Sequence, residues 1–166
     1  MWACIFLTDL IFKIMDEKIL SKIQAQCAKR EYCSKDIYAK ALKAAEGNEG
    51  AAAEIVAALV EEKYVDDLRY AGAFAREKAT LTGWGPVKIR FELLGKGIDE
   101  DTIAQALASI DAEAASAKLE SLLQSKYRTI AEEPDCKLRL LKFALSKGYN
   151  YNDIREVIGR ITAKEV

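Results

Sequence analysis

Apolar residues recur at intervals of three and four positions along most of the chain, whereas the strict alternation expected of strands is nearly absent. Ile19, Ile23 and Cys27 begin this pattern, and Ile154 and Ile161 lie near its end. The pattern predicts about nine helices, most of them short. The sequence therefore predicts an all-α fold.

Polar residues and glycines mark the ends of the predicted helices. Ser34, Asp66 and Asp99 precede apolar runs and suit the N-cap position, where a side-chain oxygen accepts a backbone N–H. Pro86 suits a first helical turn, because its missing N–H needs no partner there. Helix ends are predicted at glycines that can adopt the left-handed conformation, namely Gly47, Gly95 or Gly97, and Gly148.

The helical segments repeat with a period of roughly fifty residues. Residues 88–107 match residues 139–158 at a constant offset, and a weaker copy around residues 37–59 contains a small insertion. Three-helix units bury little apolar surface alone, so neighbouring copies should stack into an elongated, curved array with a concave face. The predicted boundaries are an N-terminal extension at 1–23, a first three-helix repeat at 24–82, a second at 83–130 and a third repeat at 131–166.

The extreme N-terminal segment is apolar but carries Asp9 and Lys13. It lacks the basic start and the small-residue cleavage site of a signal peptide, and it is shorter than the ~20 apolar residues that span a bilayer. An amphipathic pattern begins at Met15, which leads to the hypothesis that Met15 is the native start. The alternative is a helix that docks on the rest of the chain.

The amino-acid composition excludes several classes of function. The chain has 166 residues with 25 Lys and Arg against 26 Asp and Glu, which gives a formal net charge of −1. This balance excludes a globally basic nucleic-acid binder but not a local basic face. The chain has no histidine, which removes histidine-dependent catalysis and histidine-ligated metals, and it has no phosphate loop or dinucleotide fingerprint. We therefore expect no enzyme activity, no cofactor and no metal site.

The four cysteines form no C-x-x-C pair. We interpret them as reduced thiols of a cytoplasmic protein, two of them packed as small apolar side chains. A disulfide between Cys27 and Cys33 is the alternative.

An ordered set of motifs resembles the RecX regulatory proteins. The central signature is YVDDLRYA at residues 64–71, followed by Phe74 and Lys78. GWG at residues 83–85 and the motifs at residues 88–89 and 94–98 continue it in the expected order. AKREY at residues 28–32 resembles the opening motif of the family, and residues 137–154 resemble its third repeat. The resemblance extends from about residue 24 to near the end.

The resemblance implies three tandem three-helix repeats in a bacterial cytoplasmic protein that binds the recombinase RecA. Members of this family occupy the groove of the RecA–single-stranded-DNA filament or act at its growing end. They suppress ATP hydrolysis, strand exchange and co-protease activity, and none is known as an enzyme. We expect a monomer that acts by capping, groove binding or subunit eviction.

Basic residues in and beside the signature, and in the third repeat, are the candidates for contact with the filament or with DNA. An uneven charge distribution supports the third-repeat group, because residues 137–164 are basic whereas residues 111–135 are acidic on balance. Solvated helix faces are the alternative for any single lysine. The candidates are Arg69, Arg76, Lys78, Lys88, Arg90 and Lys96 in the centre, and Lys137, Arg139, Lys142, Lys147 and Arg155 in the third repeat.

Trp84, between two glycines, is a further contact candidate, although packing at the junction of the first and second repeats is the favoured interpretation. Asp66 and Asp67 are adjacent and do not share a helix face, so we expect Asp66 to be an N-cap and Asp67 to pair with Arg69 or another neighbour. Tyr70, Phe74 and Phe91 are predicted to lie in the core.

Two other function classes have less support in the sequence. A module that binds DNA without RecA would rely on the basic third repeat, and weak direct DNA binding fits that region. An enzyme has no supporting motif in this sequence.

Overall fold

A computed structural model describes residues 17–163, and within this range the chain contains helices and no strand. The all-α prediction is thereby confirmed. The helices are α1 (17–27, helical from the first described residue), α2 (Ser34–Ala44), α3 (Glu49–Glu61), α4 (Asp67–Glu77), a π-helical segment (Lys78–Thr82), α5 (Pro86–Gly95), α6 (Glu100–Ala108), α7 (Ala112–Ile130), α8 (Cys136–Ser146) and α9 (Tyr151–Ala163).

Met15, the hypothesised native start, lies outside the described residues, and so does Cys4. Most of the predicted N-terminal extension at 1–23 lies outside them as well. Among the residues that are described, no helix is both long enough and apolar enough to cross a membrane.

The chain divides into two compact units, Met1–Tyr70 and Ala71–Val166. This division falls within the predicted first repeat at 24–82, and the predicted repeat boundaries at residues 82 and 130 stay predictions.

The first unit is built around side chains from α1, α2 and α3. Its fully buried residues include Ile37, Ala41 and Leu59, and Val65 covers the end of the cluster from the turn after α3. Asn48 begins α3, since its side chain accepts the N–H of Ala51 at 3.1 Å. The positive φ of the preceding Gly47 (92°) agrees with the predicted helix end.

The two adjacent aspartates serve two different helices. Asp66 caps α4 as predicted, because its Oδ1 accepts the N–H of Arg69 at 3.0 Å. Asp67 accepts the N–H of Ser34 at 2.8 Å and thereby caps α2. The prediction of Ser34 as the N-cap was wrong: Cys33 occupies that position and Ser34 is the first helical residue. The carboxyl group of a distant helix replaces the local cap.

None of Cys27, Cys33 and Cys136 is in a disulfide, so the disulfide alternative was wrong. Cys33 is fully buried, and Cys27 and Cys136 are half-buried against the apolar clusters, as expected of small apolar side chains. Burial raises the pKa of the Cys27 thiol, and the negative charge of Glu31 raises it further.

The second unit contains a cluster formed by α7, α8 and α9, with Leu123, Leu140 and Ile154 fully buried. In α5 the buried side chains are Ile89 and Leu93. The prediction of Phe91 as a core residue was wrong, because 75% of its surface is exposed. Ile89 and Phe91 lie about 200° apart around a helix, so packing of one leaves the other outside.

The buried Tyr149 makes the stability of the second unit sensitive to alkaline pH. Burial raises the pKa of Tyr149 above its usual value near 10. The unfolded chain therefore releases this proton at lower pH than the folded chain. The stabilisation is complete below the pKa that Tyr149 has in the unfolded chain. It is lost as the pH rises through the pKa that Tyr149 has in the folded chain. We expect the Tyr149→Phe variant to lose less stability than the parent between pH 9 and 11, as measured by urea denaturation at each pH. An unchanged difference between the two proteins would contradict this effect.

Candidate partner-binding surface

The start of α5 is held by backbone groups from the turn between α8 and α9. Gly85 is the N-cap and has no side chain to accept a hydrogen bond. Its N–H donates instead to the carbonyl of Lys147 at 2.8 Å, and the N–H of Val87 donates to the carbonyl of Gly148 at 3.0 Å. Pro86 lies between them and has no N–H to satisfy. Two basic segments of the sequence, at the start of α5 and the end of α8, are thereby brought together.

Glycine is required on both sides of this contact. A Cβ atom on Gly85 would overlap the backbone of Gly148, and one on Gly148 would overlap Lys88. Gly148 also has a φ of 86°, a conformation that other residues adopt at a cost. Gly148, which was predicted as a helix end, is thus also required for this packing contact.

Trp84 lies half-buried beside this contact. Its ring is edge-on to Phe74, with ring centroids 6.4 Å apart. The ammonium groups of Lys88 and Lys78 lie 4.3 Å and 5.6 Å from the centroid of the Trp84 ring. Lys78 also pairs with Glu77 at 2.9 Å. Three of the predicted contact residues therefore form one group, in which each ammonium ion faces an aromatic ring.

Arg69 is engaged inside the first unit. Its Nε donates to Glu31 at 2.7 Å, and it also donates to the backbone carbonyls of Lys63 and Tyr64. The hydrogen bond with Glu31 is the main cause of the raised pKa of Arg69. A guanidinium group with these partners orders the ends of α3 and α4, which accounts for its place in the signature without any external partner.

Most of the other arginines among the candidates also have partners. Arg90 forms two hydrogen bonds with Glu100, at 2.9 and 2.5 Å, and links α5 to α6. Arg139 pairs with Glu133 and Asp135 at the start of α8, at 2.5 and 3.1 Å.

Three further candidates have partial contacts within the second unit. Arg76 donates to the Ser109 hydroxyl at 3.3 Å, and Lys96 is half-buried. Lys147 is half-buried, with its ammonium group 5.8 Å from the Phe143 ring centroid.

Lys137, Lys142 and Arg155 differ from the other candidates. All three are exposed, and none forms an ion pair with a residue between 17 and 163. The first two lie on α8, which carries no acidic residue. These three side chains are the ones whose charge is most available to an external partner.

Exposed apolar residues on α5 and α8 were missed by the sequence reasoning. They occupy matching positions in the two repeats and are spaced to share one face of each helix. Val87, Phe91 and Leu94 form the α5 stripe, and Leu138 and Leu145 form the α8 stripe, with exposed fractions from 39% to 75%. Lys142 occupies the α8 position that corresponds to Phe91. The match between repeats was the available signal, because periodicity alone assigns such residues to the core.

Comparison with known proteins gives consistent results. Residues 66–107, which contain α4, α5 and all of α6 except its last residue, match the family model described as "RecX, second three-helix domain". This match begins within the segment predicted as the first repeat.

The chain is also similar in sequence to curated relatives. It is 36% identical over 104 residues to the regulatory protein RecX of Clostridium botulinum (strain Eklund 17B / Type B), and the aligned region covers 60% of this chain and 48% of that protein. It is 31% identical over 111 residues to the regulatory protein RecX of Clostridium perfringens (strain SM101 / Type A), covering 64% and 51% respectively. The chain thus spans about half the length of these curated relatives.

Solved structures share the fold. The crystal structure of a regulatory protein RecX superposes with a TM-score of 0.83 at 21% identity, covering 92% of this chain and 76% of that one. The crystal structure of RecX from Lactobacillus salivarius gives a TM-score of 0.81 at 20% identity, covering 91% of this chain and 99% of that one. The match to the three-helix model, the similarity to these relatives and the shared fold together support a RecX family protein.

Proposed function

We propose that this protein is a cytoplasmic regulator that binds RecA and its single-stranded-DNA filament. In this proposal it inhibits or modulates the recombinase, ATPase and co-protease activities of RecA in DNA repair and the SOS response. The observation that carries the proposal is the similarity to relatives named regulatory protein RecX. The proposal assigns no catalytic activity and no cofactor to the chain.

The second unit offers the surface that best suits this role. The α8 stripe combines exposed leucines with Lys142, and Lys137 lies on the same helix. Apolar area supplies most of the affinity of a protein contact, and unpaired positive charge accelerates association with acidic surfaces or phosphates. The same combination would serve contact with RecA or with DNA inside its filament.

The direct test is the ATP hydrolysis that single-stranded DNA stimulates in RecA from the same organism, titrated with this protein. Inhibition at far fewer molecules than RecA would support regulation by capping or filament disassembly. Inhibition only near stoichiometric amounts would support occupancy of the filament groove. An unchanged rate at stoichiometric excess would contradict the proposal.

Charge reversal at Lys137, Lys142 and Arg155 is expected to weaken inhibition without disturbing the fold. Three exposed contacts of about 0.5 to 1 kcal/mol each correspond to a roughly ten- to hundredfold higher concentration for half-inhibition. The measurement is the ATPase titration with the triple glutamate variant, accompanied by circular dichroism.

A matched control keeps the change in net charge constant. Lys18, Lys22 and Lys29 are exposed residues of the first unit, and their triple reversal to glutamate should leave half-inhibition within about threefold of the parent. Equal losses in both variants would show that net charge, and not this surface, controls inhibition. Complete loss in the first variant would contradict a contact distributed over several repeats.

A second candidate function is direct DNA binding, which the uninterrupted basic character of α8 favours. Binding of this kind weakens steeply with salt because it releases counterions. Salt-sensitive DNA binding without RecA, together with no effect on RecA, would support this second function in place of the first.

A further inference from the structure

A cleft of about 370 Å³ opens in the second unit where α6, α7 and α9 approach the segment that carries Trp84. Its apolar lining includes Trp84, Leu107, Leu119 and Val157, and Tyr149 lines it as well. Ligand sites of proteins are concave, mostly apolar and of this size, and they form preferentially where structural modules meet. A cavity of about 150 Å³ already admits benzene, so this cleft has room for an aromatic ring and a short chain.

The charged groups of the cleft lie on one helix. Asp153, Glu156 and Arg160 of α9 line it together. The guanidinium group of Arg160 lies 3.7 Å from the carboxylate of Glu120, so its charge is already compensated. The carboxylates of Asp153 and Glu156 therefore remain on the same helix as the apolar Val157, and Asp153 also accepts a hydrogen bond from the Asn150 side chain at 3.4 Å.

Lys88 gives the cleft a second pole. Its ammonium group lies 4.3 Å from the centroid of the Trp84 ring without lining the cleft, whereas the charge of Lys78 is compensated by Glu77 at 2.9 Å. A positive group near Trp84 would be repelled by Lys88, whereas one near α9 would be attracted by Asp153 and Glu156. The charge distribution thus fixes the orientation of a ligand as well as its sign.

We propose that this cleft binds an organic cation with an aromatic or branched apolar body. The apolar body contacts Trp84, Leu107 and Leu119, and the ammonium or guanidinium group pairs with Asp153 and Glu156. A free amine and the basic side chain of a partner protein present the same chemistry. The site requires no contact with RecA, so its test is independent of the proposed function.

Titration with a matched pair of probes tests the site in the full chain. 2-Phenylethylamine supplies the cation, and 3-phenylpropionate supplies a similar body with an anion. The readout is the set of amide shifts along α9 and the indole N–H shift of Trp84, distinguished from that of Trp2 by a Trp2→Phe variant. We expect the amine to bind with a Kd on the order of 1 mM and the acid at least about fivefold more weakly. Equal binding of both probes, or no shift up to about 20 mM amine, would overturn the proposal.

Two sets of variants test separately the carboxylate charge of the cleft and the space inside it. The double variant Asp153→Asn, Glu156→Gln is expected to lose the preference for the amine while retaining weak binding of both probes. Ala115→Leu places a larger side chain into the cleft and is expected to abolish binding. Ala117→Leu, at an exposed position of the same helix, is the matched control and should bind the amine as the parent does. Binding that persists in a folded Ala115→Leu protein would contradict the site.

A third probe distinguishes the two sources of the cation. The N-acetylated dipeptide amide Phe-Arg carries the same chemistry on a peptide backbone. Tighter binding of this peptide than of the amine would assign the site to a partner chain, and tighter binding of the amine would assign it to a small molecule. Competition between the two is expected in both cases, and simultaneous binding of both probes would contradict a single shared site.

Discussion

Replacing Gly148 with alanine is expected to lower the free energy of unfolding of the second unit by about 2 to 4 kcal/mol. Two costs add in this variant. The φ of 86° is unfavourable for any residue with a Cβ atom, at about 1 kcal/mol. The new methyl group would also overlap Lys88, and overpacking of this kind costs about 1 to 3 kcal/mol. The measurement is urea denaturation followed by Trp84 fluorescence in a Trp2→Phe background.

Alanine substitutions at two other glycines separate the cost of the steric overlap from the cost of the positive φ. Gly85 has an ordinary φ of −80°, so Gly85→Ala introduces only the overlap with Gly148 and should cost about 1 to 3 kcal/mol. Gly159 lies in α9 with nothing within 4 Å of an added Cβ, so Gly159→Ala should be neutral or stabilise by up to about 1 kcal/mol. If Gly148→Ala proves as harmless as Gly159→Ala, the contact between the two turns does not exist in solution.

Truncation of Ile89 is expected to have a similarly large effect, in contrast to truncation of Phe91 two residues later. Ile89 is completely buried, so Ile89→Ala removes buried carbon atoms and leaves a cavity, at a cost of about 2 to 5 kcal/mol. Phe91 is 75% exposed, and Phe91→Ala should change the free energy of unfolding by no more than about 0.5 kcal/mol. The same denaturation experiment measures both variants.

This pair tests the orientation of α5 directly. Periodicity assigned both residues to the core, whereas the structure buries only Ile89. A large loss in Phe91→Ala together with a small one in Ile89→Ala would mean that α5 is rotated relative to the structure described above. Thermal denaturation followed by far-ultraviolet circular dichroism provides an independent check of the order.

The helices and many of their ends were predictable from local sequence. Asp99 caps α6 by accepting the N–H of Thr102 at 2.9 Å, and Pro86 occupies the first position of α5. Gly47, Gly97 and Gly148 all have positive φ values, as their predicted place after a helix requires. These features depend on a few consecutive residues, and so a single chain read in order reveals them.

The predictions that were wrong concern contacts between distant residues. Ser34 has the right chemistry for an N-cap, but Asp67 supplies the hydrogen bond from 33 positions away. The alternative of a disulfide between Cys27 and Cys33 was also wrong, because neither residue is in a disulfide. Phe91 continued an apolar pattern that no neighbouring helix covers among the described residues.

The sequence by itself determined the helical class, the repeated helix pattern and the RecX resemblance, because each depends on periodicity and on residues at fixed spacing. Only the tertiary structure decided which basic residues are available to a partner. Arg69 and Glu31 are 38 positions apart, and their ion pair exists because α4 returns to the end of α1. Spacing defines the face of a helix on which a residue lies, whereas packing decides whether that face meets another helix, an opposite charge or solvent.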